Sequence, residues 1–367
     1  MNIPRSAVKD SAAPTGRADM KPVGYAVVGL GAISQQAVLP AFANSKNARL
    51  IAVVSGDPLK AEKLAAEFHA PNHYSYAKYS ECLKNPEVEA VYIATPPGEH
   101  EKYTVEAARA KKHVLCEKPL ATTVEACRRM VRACRDNKVF FMTAYRKYFE
   151  PGSVALKKIV SSGDLGRVDI IHTAFTEFRP AGDNSPAWLF KRKISGGGPL
   201  MDLGVYCVNT SRWLVNEDPV EATAFQWSRD RKRFKEVEEG ITFRLNFPSG
   251  LVLQGTSSWG SVLTSFLQVH GEKGWACLSP AFAFEDGRRL TGKIGSQWFG
   301  EEFKAIDEFA LELDAFAASI RENRKPEPDG EQGMRDIAII DAIYRSAKTR
   351  RPVAIRYPGA SSKRRKS

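Results

Sequence analysis

The chain has 367 residues, 43% hydrophobic and 26% charged, a composition that places it among ordinary globular proteins with roughly two domains. Its net charge of +12 comes from 54 basic and 42 acidic residues, but part of the excess lies in two short runs, Arg229 to Lys235 and Lys363 to Lys366, so no uniform nucleic-acid face is implied. Cys82, Cys116, Cys127, Cys134, Cys207 and Cys277 form no C-x-x-C pair and no cluster with histidine at zinc spacing, so no metal is expected and reduced thiols are the simpler reading.

Residues 1–22 mix Pro, Ser, Ala and charges with no apolar signal region, and nowhere does the chain approach the ~20 apolar residues that cross a bilayer. A cytoplasmic protein without membrane partners is expected, its first 22 residues being either an arm or plain disorder. From Tyr25 to about Thr143, strand-like runs (Tyr25–Val28, Leu50–Ser55, Ala90–Ala94, His113–Cys116, Val139–Thr143) alternate with helical patterns near Ile33–Ala43, Pro58–His69, Ala77–Lys84, Gly98–Lys111 and Thr123–Asn137. This is an α/β pattern, a parallel doubly wound domain of Rossmann type over 23–145. After Pro151 one helix precedes long alternating segments: Val168–Phe178, Val220–Trp227, Ile241–Phe247, Leu251–Trp259 and Leu267–His270. They predict a C-terminal α+β domain over 146–355 with a large, mainly antiparallel open sheet. Helices near Ile306–Arg321 and Gln332–Thr349, joined by Lys325–Glu331, close this domain before a basic tail over 356–367.

Directly after the first strand stands Gly29-Leu30-Gly31-Ala32-Ile33-Ser34. Glycines at a strand-to-helix turn let a pyrophosphate approach the helix N-terminus, whose free N–H groups and dipole stabilise its charge; Ser34 occupies the place of the usual third glycine. After the second strand come Ser55-Gly56-Asp57-Pro58-Leu59-Lys60. A hydroxyl, a turn of N–H groups and a lysine favour the 2′-phosphate of NADP; an Asp57 carboxylate aimed at the ribose would favour NAD instead, and simple capping of the next helix by Ser55 and Asp57 is compatible with both. Tyr76, Thr95 and Pro96 complete the expected cofactor-contacting set in the loops after later strands.

Glu117-Lys118-Pro119 follows the fourth of these strands, where open α/β sheets bind ligands. Lys118 faces the crevice on this reading, although a lone loop lysine is usually solvated. Gly196-Gly197-Gly198-Pro199-Leu200-Met201-Asp202-Leu203-Gly204-Val205-Tyr206 places three glycines and a proline at a helix start, allowing close approach to another body. Asp202 and Tyr206, four apart, share a face of that helix; with the helix taken alone, a dipole partner and a core aromatic are the favoured readings of the two.

With VVGLGAISQQAVLPAF, AVYIATPPGEHEKYTVEAARAKKHVLCEKPLAT, AYRKYFEP and GGGPLMDLGVYCVNTSRWL in this order, the chain resembles the Gfo/Idh/MocA oxidoreductases from Tyr25 to about Val353, and is most similar to the glucose–fructose oxidoreductase branch. The resemblance implies that Lys118 is the catalytic lysine, Asp202 a substrate-orienting carboxylate and Tyr206 the proton donor or acceptor, with Glu117 lining the nicotinamide pocket. It implies NADP binding through Ser55 and Lys60, and places His100 and Arg146 near the nicotinamide and substrate; a helix-capping histidine and a surface arginine are their plainer alternatives. Where relatives often read Trp-Arg, Leu189 follows Trp188, so one polar contact near the active site is either lost or replaced by Lys191 or Arg192.

The function so implied is an enzyme moving hydride between NADP(H) and an aldose or related sugar, in either direction, with a retained cofactor one variant of it. In this scheme Tyr206 takes the hydroxyl proton and the Lys118 ammonium lowers its pKa from ~10. The rivals are a cyclic polyol (inositol-like) or dihydrodiol dehydrogenase and a non-catalytic NADP sensor. No specific nucleic-acid partner is expected, and a broad open sheet face predicts a homodimer or homotetramer.

Overall fold

The computed structural model describes residues 21–284 and 286–358; the expected arm and basic tail lie almost wholly outside the described residues. Strands β1 (Val23–Val28), β2 (Ala48–Ser55), β3 (Asn72–Ser75), β4 (Ala90–Ile93), β5 (His113–Glu117) and β6 (Phe141–Ala144) form a sheet in the order β3-β2-β1-β4-β5-β6, with every pair parallel. β1 and β4 are buried along their whole length, which is why their sequences are continuous apolar runs rather than alternating ones. The unexpected strand is β3: its Asn-His-Tyr-Ser sequence sits half exposed at the sheet edge, where no apolar pattern is required.

The connecting helices are α1 (Leu39–Asn44), which continues a π turn over Ser34–Val38, then α2 (Pro58–Glu67), α3 (Tyr79–Lys84), α4 (His100–Arg109) and α5 (Val124–Asp136). Asp57 caps α2 by accepting the Lys60 N–H, and Thr123 caps α5 through the Ala126 N–H, each contributing about 1 kcal/mol. α5 buries Ala126, Cys127, Met130 and Cys134, the stripe that a 3.6-residue period puts on one face.

Beyond α6 (Pro151–Ser162), β7 (Val168–Thr176), α7 (Arg192–Ser195) and α8 (Val205–Val215) lead into β8 (Glu221–Trp227), β9 (Gly240–Asn246), β10 (Val252–Ser258), β11 (Thr264–Gly271), β12 (Gly274–Ser279), β13 (Arg288–Ile294) and β14 (Gln297–Phe303). After α9 (Glu308–Arg321) and α10 (Gly330–Thr349), β15 (Val353–Ala354) completes a nine-stranded sheet ordered β14-β13-β12-β11-β7-β10-β9-β8-β15. Only β7 and β10 pair in parallel; the other neighbours are antiparallel. Strands β12 to β14 were not legible in sequence because glycines and charges interrupt their alternation.

One expectation needs correction. α9 was assigned to the second domain, yet its Phe309, Leu313 and Phe316 pack with Tyr25, Val27, Leu39 and Leu50 of the first. The apolar stripe of α9 covers a sheet face that the βα crossovers leave open, so the chain returns to its first domain. A second buried cluster runs without a break from Val28 and Ile93 through Tyr206 and Phe175 to Leu278, across both sheets.

Candidate active site

The strand order reverses between β1 and β4, and ligands of open α/β sheets bind beyond the carboxyl ends at such a point. Ser55, Gly29, Thr95 and Lys118 follow β2, β1, β4 and β5 there. At ~4.8 Å per strand, Gly29 and the β5 end are separated by roughly 10 Å along this edge.

Gly29 has φ +97°, and a Cβ there would lie 2.7 Å from the Ala94 carbonyl. Gly31 instead faces open space, with no atom within 4 Å of an added Cβ. Ser34, in place of a third glycine, is buried and donates to the Gly29 carbonyl at 2.6 Å. Leu30 is buried, Ala32 exposed and Ile33 half-buried. The buried Thr95 hydroxyl has no hydrogen-bond partner, so the loop after β4 carries an unused polar group where a nucleotide would pass. A glycine-lined opening, a helix start and this orphan hydroxyl fit a dinucleotide. Gly29→Val is expected to cost at least about 1–3 kcal/mol through backbone strain and overpacking, read as a lower denaturation midpoint with loss of NADPH binding; wild-type stability and binding would show that the turn tolerates a side chain.

At the β2 end, the Ser55 oxygen accepts the Asp57 N–H at 3.1 Å and Asp57 Oδ1 accepts the Lys60 N–H at 3.1 Å. Of the two, only Asp57 caps α2. Gly56 and Lys60 are exposed, and the Tyr76 ring lies 3.1 Å from where a Gly56 Cβ would be. Pro96 is half-buried beside Thr95.

His100 opens α4 and is fully enclosed, with Nε2 2.7 Å from the Thr95 oxygen and Nδ1 3.1 Å from the Leu120 oxygen. Burial pushes its pKa down to about 4. As a neutral imidazole it carries one N–H and donates to one of these two carbonyls while its other nitrogen lies against the second, so it sits between the loop after β4 and the loop after β5. It does not cap its helix, and both nitrogens face main chain.

Lys118, followed by a cis bond to Pro119, meets the helix start that precedes α8. Its Nζ donates to the Asp202 main-chain oxygen at 2.9 Å, lies 3.4 Å from Asp202 Oδ1, and stands 5.0 Å from the Tyr206 ring centre. Burial works against the ammonium, but Tyr206 once ionised, and the Asp202 and Glu117 carboxylates, outweigh it and hold its pKa above the usual value. Asp202 lies in a π turn over Leu200–Gly204 and Tyr206 in the first turn of α8. Arg179 Nη2 approaches the other Asp202 oxygen at 3.6 Å and also pairs with Glu177 at 2.9 Å. Sequence reasoning missed both; their only signal is charge at the end of the β7 alternation. Lys191 and Arg192, expected as replacements for a polar contact near the active site, instead bond Glu236, through its carboxylate and its main-chain oxygen respectively, because the loop turns them outward.

Tyr206 is buried among Phe175, Phe282 and Tyr145, with ring centres 6.0 to 6.2 Å away. Behind it, Arg146 stands 5.1 Å from its ring, bonded to Glu308 and to the Phe282 carbonyl. Arg146 is therefore neither a surface residue nor, in this arrangement, open to the crevice; it acts on Tyr206. The expected lowering of the Tyr206 pKa is also corrected. Burial raises it, and Arg146 and then Lys118 offset that only in part, because removing a phenolate from water outweighs two cations that are themselves neutralised by carboxylates. Glu117 is buried beneath Lys118, accepting from Tyr92 at 2.8 Å and from the Lys118 N–H at 3.1 Å, and burial raises its pKa. Glu312 of α9 approaches the same tyrosine at 3.4 Å. Glu308 and Glu312, four apart on an otherwise apolar stripe, were the sequence signal for this buried cluster.

Among known proteins, residues 23–145 match the oxidoreductase family with an NAD-binding Rossmann fold, and residues 153–277 the GFO/IDH/MocA C-terminal domain. The chain is 31% identical over 338 residues to the D-xylose 1-dehydrogenase [NADP(+)] of Haloarcula marismortui, covering 91% of this chain and 93% of that one. It is 29% identical over 238 residues to a trans-1,2-dihydrobenzene-1,2-diol dehydrogenase of Bos taurus, covering 63% and 68%. It superimposes on the aldose-aldose oxidoreductase of Caulobacter crescentus, solved with glycerol, with a TM-score of 0.86 at 36% identity, over 91% of this chain and all of that one. With both halves matched and 91% of its length aligned to a 31% identical relative, the chain belongs to the Gfo/Idh/MocA family of oxidoreductases.

Proposed function

We propose that this protein transfers hydride between NADP(H) and the CH–OH or carbonyl group of an aldose or related sugar. The observation that carries this reading is the meeting of Lys118 with Asp202 and Tyr206, which lie 84 and 88 residues further along the sequence, beside the glycine-lined opening. The cofactor supplies the hydride acceptor or donor; the protein orients the sugar and manages its proton. Tyr206 exchanges the hydroxyl proton, Lys118 holds Asp202 and faces the phenol, and Asp202 and Arg179 receive neighbouring hydroxyls. Glu117 walls the nicotinamide side from below. Relatives named for NADP and for aldoses support the cofactor and substrate class.

As it stands the site is loaded with donors, because Tyr206 and Lys118 both hold their protons. That state suits reduction directly. Oxidation draws on the positive nicotinamide of NADP⁺, a third cation favouring phenolate. The same framework suits a cyclic polyol or dihydrodiol, a reading favoured by the similarity to dihydrodiol dehydrogenases.

For NADP, Lys60 is the proposed 2′-phosphate contact, exposed one turn beyond Ser55. A charge-assisted bond of about 1.5–3 kcal/mol predicts that Lys60→Ala raises the KM for NADP⁺ about tenfold or more and leaves that for NAD⁺ unchanged; equal change in both would remove the lysine from 2′-phosphate recognition. The outward sheet face carries Phe225 and Trp298, 56% and 60% exposed, which supports a homodimer or homotetramer formed there. Six unpaired cysteines fit a reducing, cytoplasmic setting, and no described helix is long and apolar enough to cross a membrane.

The direct experiment incubates the protein with D-xylose, D-glucose, myo-inositol and trans-dihydrodiols, with and without added NADP⁺, while following absorbance of reduced nicotinamide. Turnover of aldoses with added NADP⁺ is expected. Product from a sugar pair without added cofactor indicates retained nucleotide, and turnover confined to inositol or diols overturns the sugar assignment.

A further inference from the structure

We infer that Glu238 is a positioning residue for the helix start that carries Asp202 and Tyr206, holding it through two main-chain N–H groups. This rests on the reading that those two side chains are reactive groups. Glu238 lies just before β9, with a side chain entirely shielded from solvent. Its Oε2 accepts the Gly198 N–H at 3.1 Å, while its Oε1 accepts the Leu200 N–H at 3.2 Å and the Tyr344 hydroxyl at 2.8 Å. Pro199 between them has no N–H to offer. Every main-chain donor of residues 198–200 is therefore spent on one carboxylate, brought from the segment just before β9.

The π turn that follows has no side-chain cap of its own, although a helix start leaves its first N–H groups without intrahelical partners. Glu238 fills that need from outside. The glycine run is what lets it in: a Cβ on Gly198 would lie 2.3 Å from the Glu238 main-chain oxygen, and one on Gly197 2.0 Å from the Tyr344 hydroxyl. On the far side, Arg192 Nη2 stands 3.8 Å from Glu238 Oε2 and its guanidinium 4.9 Å from the Tyr344 ring. All four polar neighbours are donors, so both carboxylate oxygens must accept.

Asp202 is two residues beyond Leu200 and Tyr206 six, on one continuous helical segment. A tilt of the first turn moves both together relative to Lys118, which belongs to the other domain. Misplacement by about 1 Å lowers turnover about 100-fold in well-aligned sites, so a buried anchor two residues from Asp202 governs rate without touching substrate.

The test compares Glu238→Gln and Tyr344→Phe, each alone and combined with Tyr206→Phe. Glutamine keeps the size, but its amide must face one of the two N–H donors. With NADP⁺ and whichever of D-xylose or D-glucose is turned over faster, E238Q is expected to lower kcat about 10- to 100-fold while the Kd for NADPH stays within about twofold. Hydrogen exchange of the peptide 197–206 is expected to accelerate. In the Y206F background the same change is expected to lower kcat by a clearly smaller factor than in the wild-type background, since one of the two groups being positioned is gone and only Asp202 remains to be misplaced. Y344F, which removes one donor only, is expected to move kcat and exchange in the same direction by less, and carries the test if E238Q does not fold. Wild-type kcat and exchange in the folded variant, or an undiminished loss of kcat in the Y206F background, overturns the inference. Full turnover by Y206F alone would instead sink the functional reading, and the exchange rates would still decide whether Glu238 holds the turn.

Discussion

Replacing Lys118 by methionine is expected to leave NADP bound and to cut turnover by about two or more orders of magnitude, the usual worth of a positioned acid–base group. The nucleotide elements, Gly29 to Ile33 and Ser55 to Lys60, belong to other strand ends, so the Kd for NADPH should change little. What is lost is the ammonium between Asp202 and the Tyr206 ring. Methionine fills a similar volume but leaves Asp202 Oδ1 without its cation and Glu117 without the nearest charge opposing its burial. The buried carboxyl of Glu117 should then take up a proton more readily, so no rescue from below is expected. Steady-state kcat and fluorescence titration with NADPH check both halves, and full activity would take the lysine out of the mechanism.

Tyr206→Phe is expected to lower kcat about 10²- to 10⁴-fold with the fold intact, because phenylalanine keeps the packing against Phe175, Phe282 and Tyr145. The pH dependence separates the chemical role from packing. Burial raises the phenol's pKa, with Arg146 and Lys118 offsetting only part, so below that pKa the phenolate fraction grows about tenfold per pH unit. Alcohol oxidation, which needs a base, should therefore climb with pH through the neutral and mildly alkaline range. Carbonyl reduction, which needs the protonated phenol, should stay flat over the same range. The climb should vanish in the phenylalanine variant. A flat oxidation profile in the wild-type enzyme, measured at saturating NADP⁺, would assign the proton transfer to another group.

The contrast between His100 and Lys118 illustrates what a motif can and cannot say. Both stand near the carboxyl edge of the parallel sheet, His100 at the start of α4 and Lys118 in the loop after β5, and both were expected beside the nicotinamide. The histidine's nitrogens face the Thr95 and Leu120 carbonyls, whereas the lysine reaches across to the second domain. Sequence position placed each at that edge, and the packing of neighbouring loops set the direction of each side chain. Arg146 makes the same point, since a residue two places beyond a strand end proves to be enclosed with Glu308 of a helix 162 positions away.

By itself the amino-acid order determined the alternation of strands and helices in the first half, the glycine turn after β1, the mainly antiparallel second sheet and the segments bearing Lys118, Asp202 and Tyr206. All of these are written in local periodicity, turn chemistry and short motifs, which act over a few residues. Only the tertiary structure decided that α9 returns to the first sheet, that Arg179 rather than Lys191 or Arg192 meets Asp202, that Glu238 and Tyr344 grip the glycine run, and that burial keeps Tyr206 protonated. Those outcomes depend on which groups lose water together and on contacts between residues tens to hundreds of positions apart, and no local pattern encodes either.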